Sequence, residues 1–288
     1  MPSIDVDQEL MDAAGGGRAE RVSELLAEGA DPISKNSKAL RFAACGGHVE
    51  CVRVLLPVSD PKANESDALR LAAKNGHAEC VRMLVPVSDA KARKSEALRM
   101  AAHNGHADCV RMLLPVSDAK ALESQALARA AINGHVKCVR ALLPVSDPKA
   151  DNSYALRRAA SYGHEECVRL LFPCSDPKSE ASEALRSAAK NGHAGCVGLL
   201  LPVSGPLIEI DWLLGDVMAL GHAKVAVRLI EGEPRLLDGI NLSKCLAAAI
   251  EEGHRELASY LSSIIDQREL LGMKHERPGS GGRGHARL

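Results

Sequence analysis

Apolar and polar positions along most of this chain follow one pattern that returns every 29 residues. In the unit that begins at Ser66, residues Ala68, Leu69, Ala72 and Ala73 fall on one stripe by i, i+4 spacing, with Asp67, Arg70 and Lys74 on the other side. That is the pattern of a short amphipathic helix, and Ser66 is placed to cap its start, as are Ser37, Ser95, Ser124, Ser153 and Ser182 in register with it. Asn75-Gly76 closes the helix, since glycine takes up the left-handed C-terminal conformation without steric cost. A second helix is expected from about Ala78 to Val85, burying Cys80, Val81, Leu84 and Val85 and leaving Glu79 and Arg82 in water. Pro86 stops it, and Val87 to Ala92 carries the chain back to the next cap. Each unit therefore reads as a helical hairpin with a return loop, and a period of this length signals stacked units that bury their apolar faces only against neighbours.

Composition agrees with many thin helix contacts rather than one large core. Aromatics make up 2% of the 288 residues, while Ala, Leu and Val dominate a hydrophobic content of 46%. A net charge of −1 and a pI near 6.8 provide no global field for nucleic acid or a membrane surface. Six of the nine cysteines (Cys51, Cys80, Cys109, Cys138, Cys167 and Cys196) follow the repeat register. Packed helices lie about 8–10 Å apart, beyond the roughly 7 Å that a disulfide allows between Cα atoms. The row reads as reduced, Val-sized core residues of a cytoplasmic protein. Met1 to Glu9 lacks a basic region followed by an apolar stretch, and no run approaches the length of a membrane span, so neither a secretory route nor membrane association is expected.

The order Ala-Leu-Arg-x-Ala-Ala-x-x-Gly-His followed by Val-Arg-x-Leu-Leu resembles the ankyrin repeat, and Leu25-Leu26-Ala27-Glu28-Gly29-Ala30-Asp31-Pro32 matches the usual ankyrin ending more closely still. The resemblance covers about Asp7 to Ile265. It implies an all-α, ankyrin-type solenoid of stacked helical hairpins. An ankyrin unit has about 33 residues, and the residues missing here fall in its β-hairpin finger, so truncated fingers or plain turns are expected. The expected organisation is an N-terminal capping repeat over 1–36, six regular repeats over 37–209, two divergent repeats over 210–266 and a disordered basic tail over 267–288.

The repeat histidines, His48 through His254, resemble the ankyrin turn histidine, and copies one unit apart cannot gather around one ion. No metal site or cofactor is expected, and no catalytic motif is present. Two arginine ladders run through the units: Arg41, Arg70, Arg99, Arg157 and Arg186 on the first helices, interrupted at Ala128, and Arg53, Arg82, Arg111, Arg140 and Arg169 on the second. Asp67, Glu96 and Glu183 stand three residues before their ladder arginines, where opposite charges pair on a helix, so nucleic acid is disfavoured as a partner.

Positions that vary while the rest of the unit is copied are the best guide to function. One reads Phe42, Leu71, Met100, Arg129, Arg158, Ser187; another reads Cys45, Lys74, His103, Ile132, Ser161, Lys190. In ankyrin proteins these first-helix positions tend to face the concave surface where partners dock. The expectation is a monomeric, non-enzymatic scaffold for a protein partner, bound through Phe42, Leu71, Met100, Arg129, Tyr154, Arg158 and Tyr162. A dedicated inhibitor or immunity protein, and an effector delivered to a host cytosol, are the alternatives; nucleic-acid binding through the arginine ladders ranks below them.

Overall fold

In a computed structural model, residues 5–203, 210–237 and 241–275 are described, and among them the chain is helical without a strand. It forms an all-α solenoid of stacked helical hairpins joined by turns, so the β-hairpin fingers are reduced to plain turns. By its internal packing the chain divides into two compact units, Met1–Ala184 and Leu185–Leu288.

In the first unit the odd-numbered helices are the first helices of the hairpins: α1 (Val6–Gly15), α3 (Ser34–Gly46), α5 (Ala63–Asn75), α7 (Ala92–His103), α9 (Ala121–Ile132) and α11 (Ala150–Ser161). The second helices are α2 (Ala19–Ala27), α4 (Val49–Leu55), α6 (Ala78–Leu84), α8 (Ala107–Leu113), α10 (Val136–Leu142) and α12 (Glu165–Leu171). First helices pack side by side from α1 to α11, second helices do the same from α2 to α12, and the two layers enclose the core. Ala68, Leu69, Ala72 and Ala73 are buried as the stripe predicts, and so are Cys80, Val81 and Leu84; Val85 is only half-buried. Alanine pairs keep the layers close, which is why so few aromatics suffice.

Two local readings need correction. The repeat serines do not cap their helices. Ser66 is buried, and its Oγ accepts a hydrogen bond from the Asp89 N–H at 2.8 Å, tying the start of the first helix to the turn after the second. Ser37, Ser95, Ser124 and Ser153 do the same for Asp60, Asp118, Asp147 and Asp176 at 2.8–2.9 Å. The reason lies in the backbone: Asn64, Glu65 and Ser66 are all left-handed, with φ of 51°, 58° and 60°, so the right-handed helix starts only after Ser66. The same three-residue turn recurs at 35–37, 93–95, 122–124 and 151–153. Each such non-glycine residue costs roughly 1–2 kcal/mol, offset here by the serine bond and by a Ser66 N–H to Lys62 carbonyl bond at 3.1 Å. Asp67 is the second correction. Expected on the solvent side, it is 6% exposed and faces two arginines.

Adjacent hairpins are fastened at the glycine turn. Gly76 has φ +80°, as its position predicts, and a Cβ there would lie 2.4 Å from His106 Nδ1 of the next hairpin. His106 Nε2 lies 3.0 Å from the Lys74 carbonyl, and since a carbonyl only accepts, Nε2 carries the proton. His48, His77, His135 and His164 make the same bond at 2.8–3.0 Å to Gly15, Cys45, His103 and Ile132. The turn histidine is a structural group that needs glycine beneath it.

After α13 (Ser179–Lys190), in the second unit α14 (Ala194–Leu200) packs on α16 (Ala223–Gly232), which also meets α15 (Ile210–Ala219) and α18 (Arg255–His275); α18 pairs with α17 (Leu242–Glu251). Leu214, Val217, Ala226, Leu229 and Leu261 form its core. His222 Nε2 bonds the Lys190 carbonyl at 3.0 Å, so the fastening persists there. The tail expected to be disordered from 267 is helical as far as His275, because Gln267 to Leu271 are good helix formers and Arg268 reaches the Leu237 carbonyl at 3.4 Å. Residues 276–288 of that expected tail lie outside the described residues.

Candidate interaction face

Because the first helices lie side by side, one repeat position becomes a row across them. Phe42 on α3, Leu71 on α5, Met100 on α7, Arg129 on α9 and Arg158 on α11 occupy that row, all half-buried. Phe42 is partly structural: its ring lies 3.5 Å from where a Gly15 Cβ would sit, and Lys38 Nζ stands 5.0 Å from the ring centroid. Tyr154, four residues before Arg158, and Tyr162, four after it and 50% exposed, share its helix face.

The charges along this face change character midway. Asp67 pairs with Arg70 on its own helix and lies 3.5 Å from Arg41 of the preceding one. Glu96 lies 3.7 Å from Arg70 and 3.7 Å from Arg93, and Arg93 pairs further with Glu65. Glu96 thus serves Arg70 rather than Arg99, the partner its i, i+3 spacing predicts. At the position of Asp67 and Glu96 the next two hairpins carry Gln125 and Tyr154. Arg99 donates to Gln125 Oε1 at 2.7 Å and to the Lys94 and Arg93 carbonyls at 3.2 and 2.9 Å. Burial, and then the nearby Arg129, push the Arg99 guanidinium below its ordinary range, against a smaller opposing pull from Glu96.

Around Arg158, Tyr154 stands at the register of Asp67 and Glu96, and Tyr162 stands where earlier units carry Asn75, Asn104 and Asn133. The Arg158 guanidinium lies 5.8 Å from the Tyr154 ring centroid and 5.0 Å from that of Tyr162, with an Nη2 bond to the Tyr162 hydroxyl at 2.9 Å. Its Nε is shielded from water and has no hydrogen-bond partner. Arg157 also stands over the Tyr154 ring, 5.6 Å from its centroid. Tyr162 stacks on His164, which is itself held to the Ile132 carbonyl at 2.8 Å. Reading the row position alone missed Arg99, Gln125 and Arg157. The signal that finds them is the interruption of the acid at one fixed register, which reads Asp67, Glu96, Gln125, Tyr154 and then Glu183.

The opposite ladder is largely neutralised. Arg53 lies 3.1 Å from Glu50, Arg82 2.5 Å from Glu79, Arg111 pairs with Asp108, and Arg169 lies 2.8 Å from Glu165. All are exposed pairs, worth under about 1 kcal/mol each. The cysteine row is buried, and desolvation pushes the thiols of Cys80, Cys109, Cys138 and Cys167 up to about 11. These are packing groups, not thiolate ligands or nucleophiles. Cys45 is half-buried and Cys174 exposed. Among the described residues no group of three or more His, Cys, Asp or Glu side chains is placed to hold a metal ion, and no helix is long and apolar enough to cross a membrane.

The family model for ankyrin repeats (3 copies) matches residues 10–94 and 86–152. The chain is an ankyrin-repeat protein with shortened regular units of 29 residues. Such repeats form protein–protein interaction scaffolds, and the family is typically non-enzymatic. No curated protein matches the chain.

Proposed function

We propose that this protein is a non-enzymatic scaffold that binds a protein partner across the first-helix face, the concave side in ankyrin proteins, with Phe42, Leu71, Met100, Arg129, Tyr154, Arg158 and Tyr162 making the contacts. One observation carries the reading. Core residues, turn glycines and turn histidines are copied from unit to unit, whereas the row Phe42, Leu71, Met100, Arg129, Arg158 changes in size and charge while staying partly open to solvent. A surface that is preformed by helix packing binds without an ordering cost, and a run of apolar side chains bordered by charge suits a protein partner.

Site-specific photocrosslinking tests the proposal. With p-benzoylphenylalanine in place of Met100, irradiation in lysate is expected to trap a discrete protein; in place of Arg111, on the second helices, it is expected to trap none. Equal trapping at the two positions, or none at position 100, contradicts it.

A further inference from the structure

The turns that follow the second helices are stitched into one edge of the first unit. Ser88 Oγ donates to the Pro61 carbonyl of the preceding turn at 3.3 Å, and Ser59, Ser117 and Ser175 do the same for Pro32, Ala90 and Pro148 at 3.2–3.4 Å. Within its turn, Asp89 Oδ1 accepts the Lys91 N–H at 2.9 Å, as Asp60, Asp118 and Asp147 do for Lys62, Lys120 and Lys149. Serine and aspartate are therefore copied for the fold. The valine and the lysine of the same turns have no such task. Val58, Val87, Val116 and Val145 are 37–45% exposed, each behind an exposed proline. Among the described residues the exposed ammonium groups of Lys62, Lys91, Lys120 and Lys149 pair with no carboxylate. Exposed positions elsewhere drift: one reads Asn64, Arg93, Leu122, Asp151 and another reads Glu50, Glu79, Asp108, Lys137, Glu166. An exposed apolar side chain held constant through four units against that background marks a contact surface.

We infer that this turn edge is the interface through which two copies of the chain associate. Pitch and charge together name the occupant. The second helices that end in these turns pack side by side, about 8–10 Å apart, so valine, aspartate and lysine recur at that interval along the edge. A partner that covers every valine must present apolar groups at the same interval, and a second copy of the edge does so. Each turn also exposes one acid and one base two residues apart, such as Asp89 and Lys91, and neither is paired with an opposite charge inside the chain. One charge of each sign per unit makes the edge self-complementary: two copies laid together set aspartates of one beside lysines of the other, with the valines packed between them. A partner of a single charge sign satisfies only half of these groups. Stitching fixes the turns before contact, so little ordering cost opposes association. The inference goes beyond the scaffold reading and does not depend on it, because the turns follow the second helices and leave the first-helix row uncovered. It replaces the monomer expected from the sequence.

The test is light scattering on the full chain as it leaves a size-exclusion column, over a concentration series. The wild type is expected to pass from monomer to dimer as its concentration rises to about 100 μM. The Val87→Glu, Val116→Glu, Val145→Glu variant is expected to stay monomeric with unchanged circular dichroism. Lys74→Glu with Lys137→Glu, beside the glycine turns at the other end of the second helices, is expected to dimerise as the wild type does. Two further variants test the charges. Lys62→Gln, Lys91→Gln, Lys120→Gln, Lys149→Gln leaves only the aspartates, and Asp60→Asn, Asp89→Asn, Asp118→Asn, Asp147→Asn leaves only the lysines while keeping the Oδ1 acceptor of each turn. Each alone should associate at least about tenfold more weakly than the wild type, and an equimolar mixture of the two should recover the dimer. The inference is overturned if the wild type stays monomeric throughout or assembles beyond a dimer. It is equally overturned if the valine variant dimerises as well as the wild type, if the glycine-turn variant loses the dimer, or if the mixture recovers none.

Discussion

Replacing Gly76 by alanine probes the fastening that turns separate hairpins into a stack. The substitution should act twice. Alanine in the left-handed conformation at φ +80° costs roughly 1–2 kcal/mol. Its Cβ would also lie 2.4 Å from Nδ1 and 2.6 Å from Cε1 of His106, so the imidazole must leave. The ring then gives up its 3.0 Å bond to the Lys74 carbonyl, a neutral bond worth about 1 kcal/mol, together with its packing. The sum is about 2–4 kcal/mol. Removing the ring first separates the two contributions: in a His106→Ala background, Gly76→Ala should cost only the backbone part, about 1–2 kcal/mol. Four proteins, compared by urea unfolding under circular dichroism, close the cycle. Coupling of about 1–2 kcal/mol is the expected outcome. A cost for Gly76→Ala that is the same with and without His106 refutes the claim that the glycine makes room for the neighbouring histidine.

Three further outcomes follow from the packing. Ser95→Ala should leave the Asp118 amide without its acceptor, cost about 1–3 kcal/mol and speed hydrogen exchange at that amide; unchanged exchange would restore the simple capping role. Asp67→Ala should destabilise the chain by about 3 kcal/mol because it strands Arg41 and leaves Arg70 only its longer contact with Glu96, whereas Asp108→Ala, at an exposed pair, should cost under about 1 kcal/mol in the same melts. Stability should be insensitive to the thiols below their unfolded pKa near 9.0 and should fall as pH rises from there toward about 11, since the unfolded chain releases those protons first. Melting temperature against pH should show a shallower alkaline fall in Cys109→Val, and an identical profile would contradict the burial argument.

The hairpin, its glycine stop and the turn at Pro86 could be read from residues because each depends on local geometry: a helical stripe, a left-handed residue, an absent N–H. What could not be read depends on neighbours. Asp67 looks like any solvent-facing polar residue until Arg41 of the preceding hairpin is placed beside it. The left-handed turn at Asn64, Glu65 and Ser66, and at Leu122, Glu123 and Ser124, has no glycine to announce it, because burial of the serine and its bond to the following turn hold a conformation the residues disfavour by themselves. At the candidate face, the row from Phe42 to Arg158 was visible as variation at a fixed register. The pairing of Glu96 with Arg70 across helices, and the clasp of Arg158 between Tyr154 and Tyr162, required the stack.

The measurement that bears most directly on the scaffold claim is affinity capture from nuclease-treated lysate with the wild-type chain and with the Phe42→Glu, Leu71→Glu, Met100→Glu variant, bound proteins being identified by mass spectrometry. Since Phe42 also packs over Gly15, the Leu71→Glu, Met100→Glu pair is run beside it with matched circular dichroism. The account predicts a protein retained by the wild type and lost from both folded variants; a partner retained equally by all three chains, or no protein retained by any, contradicts it.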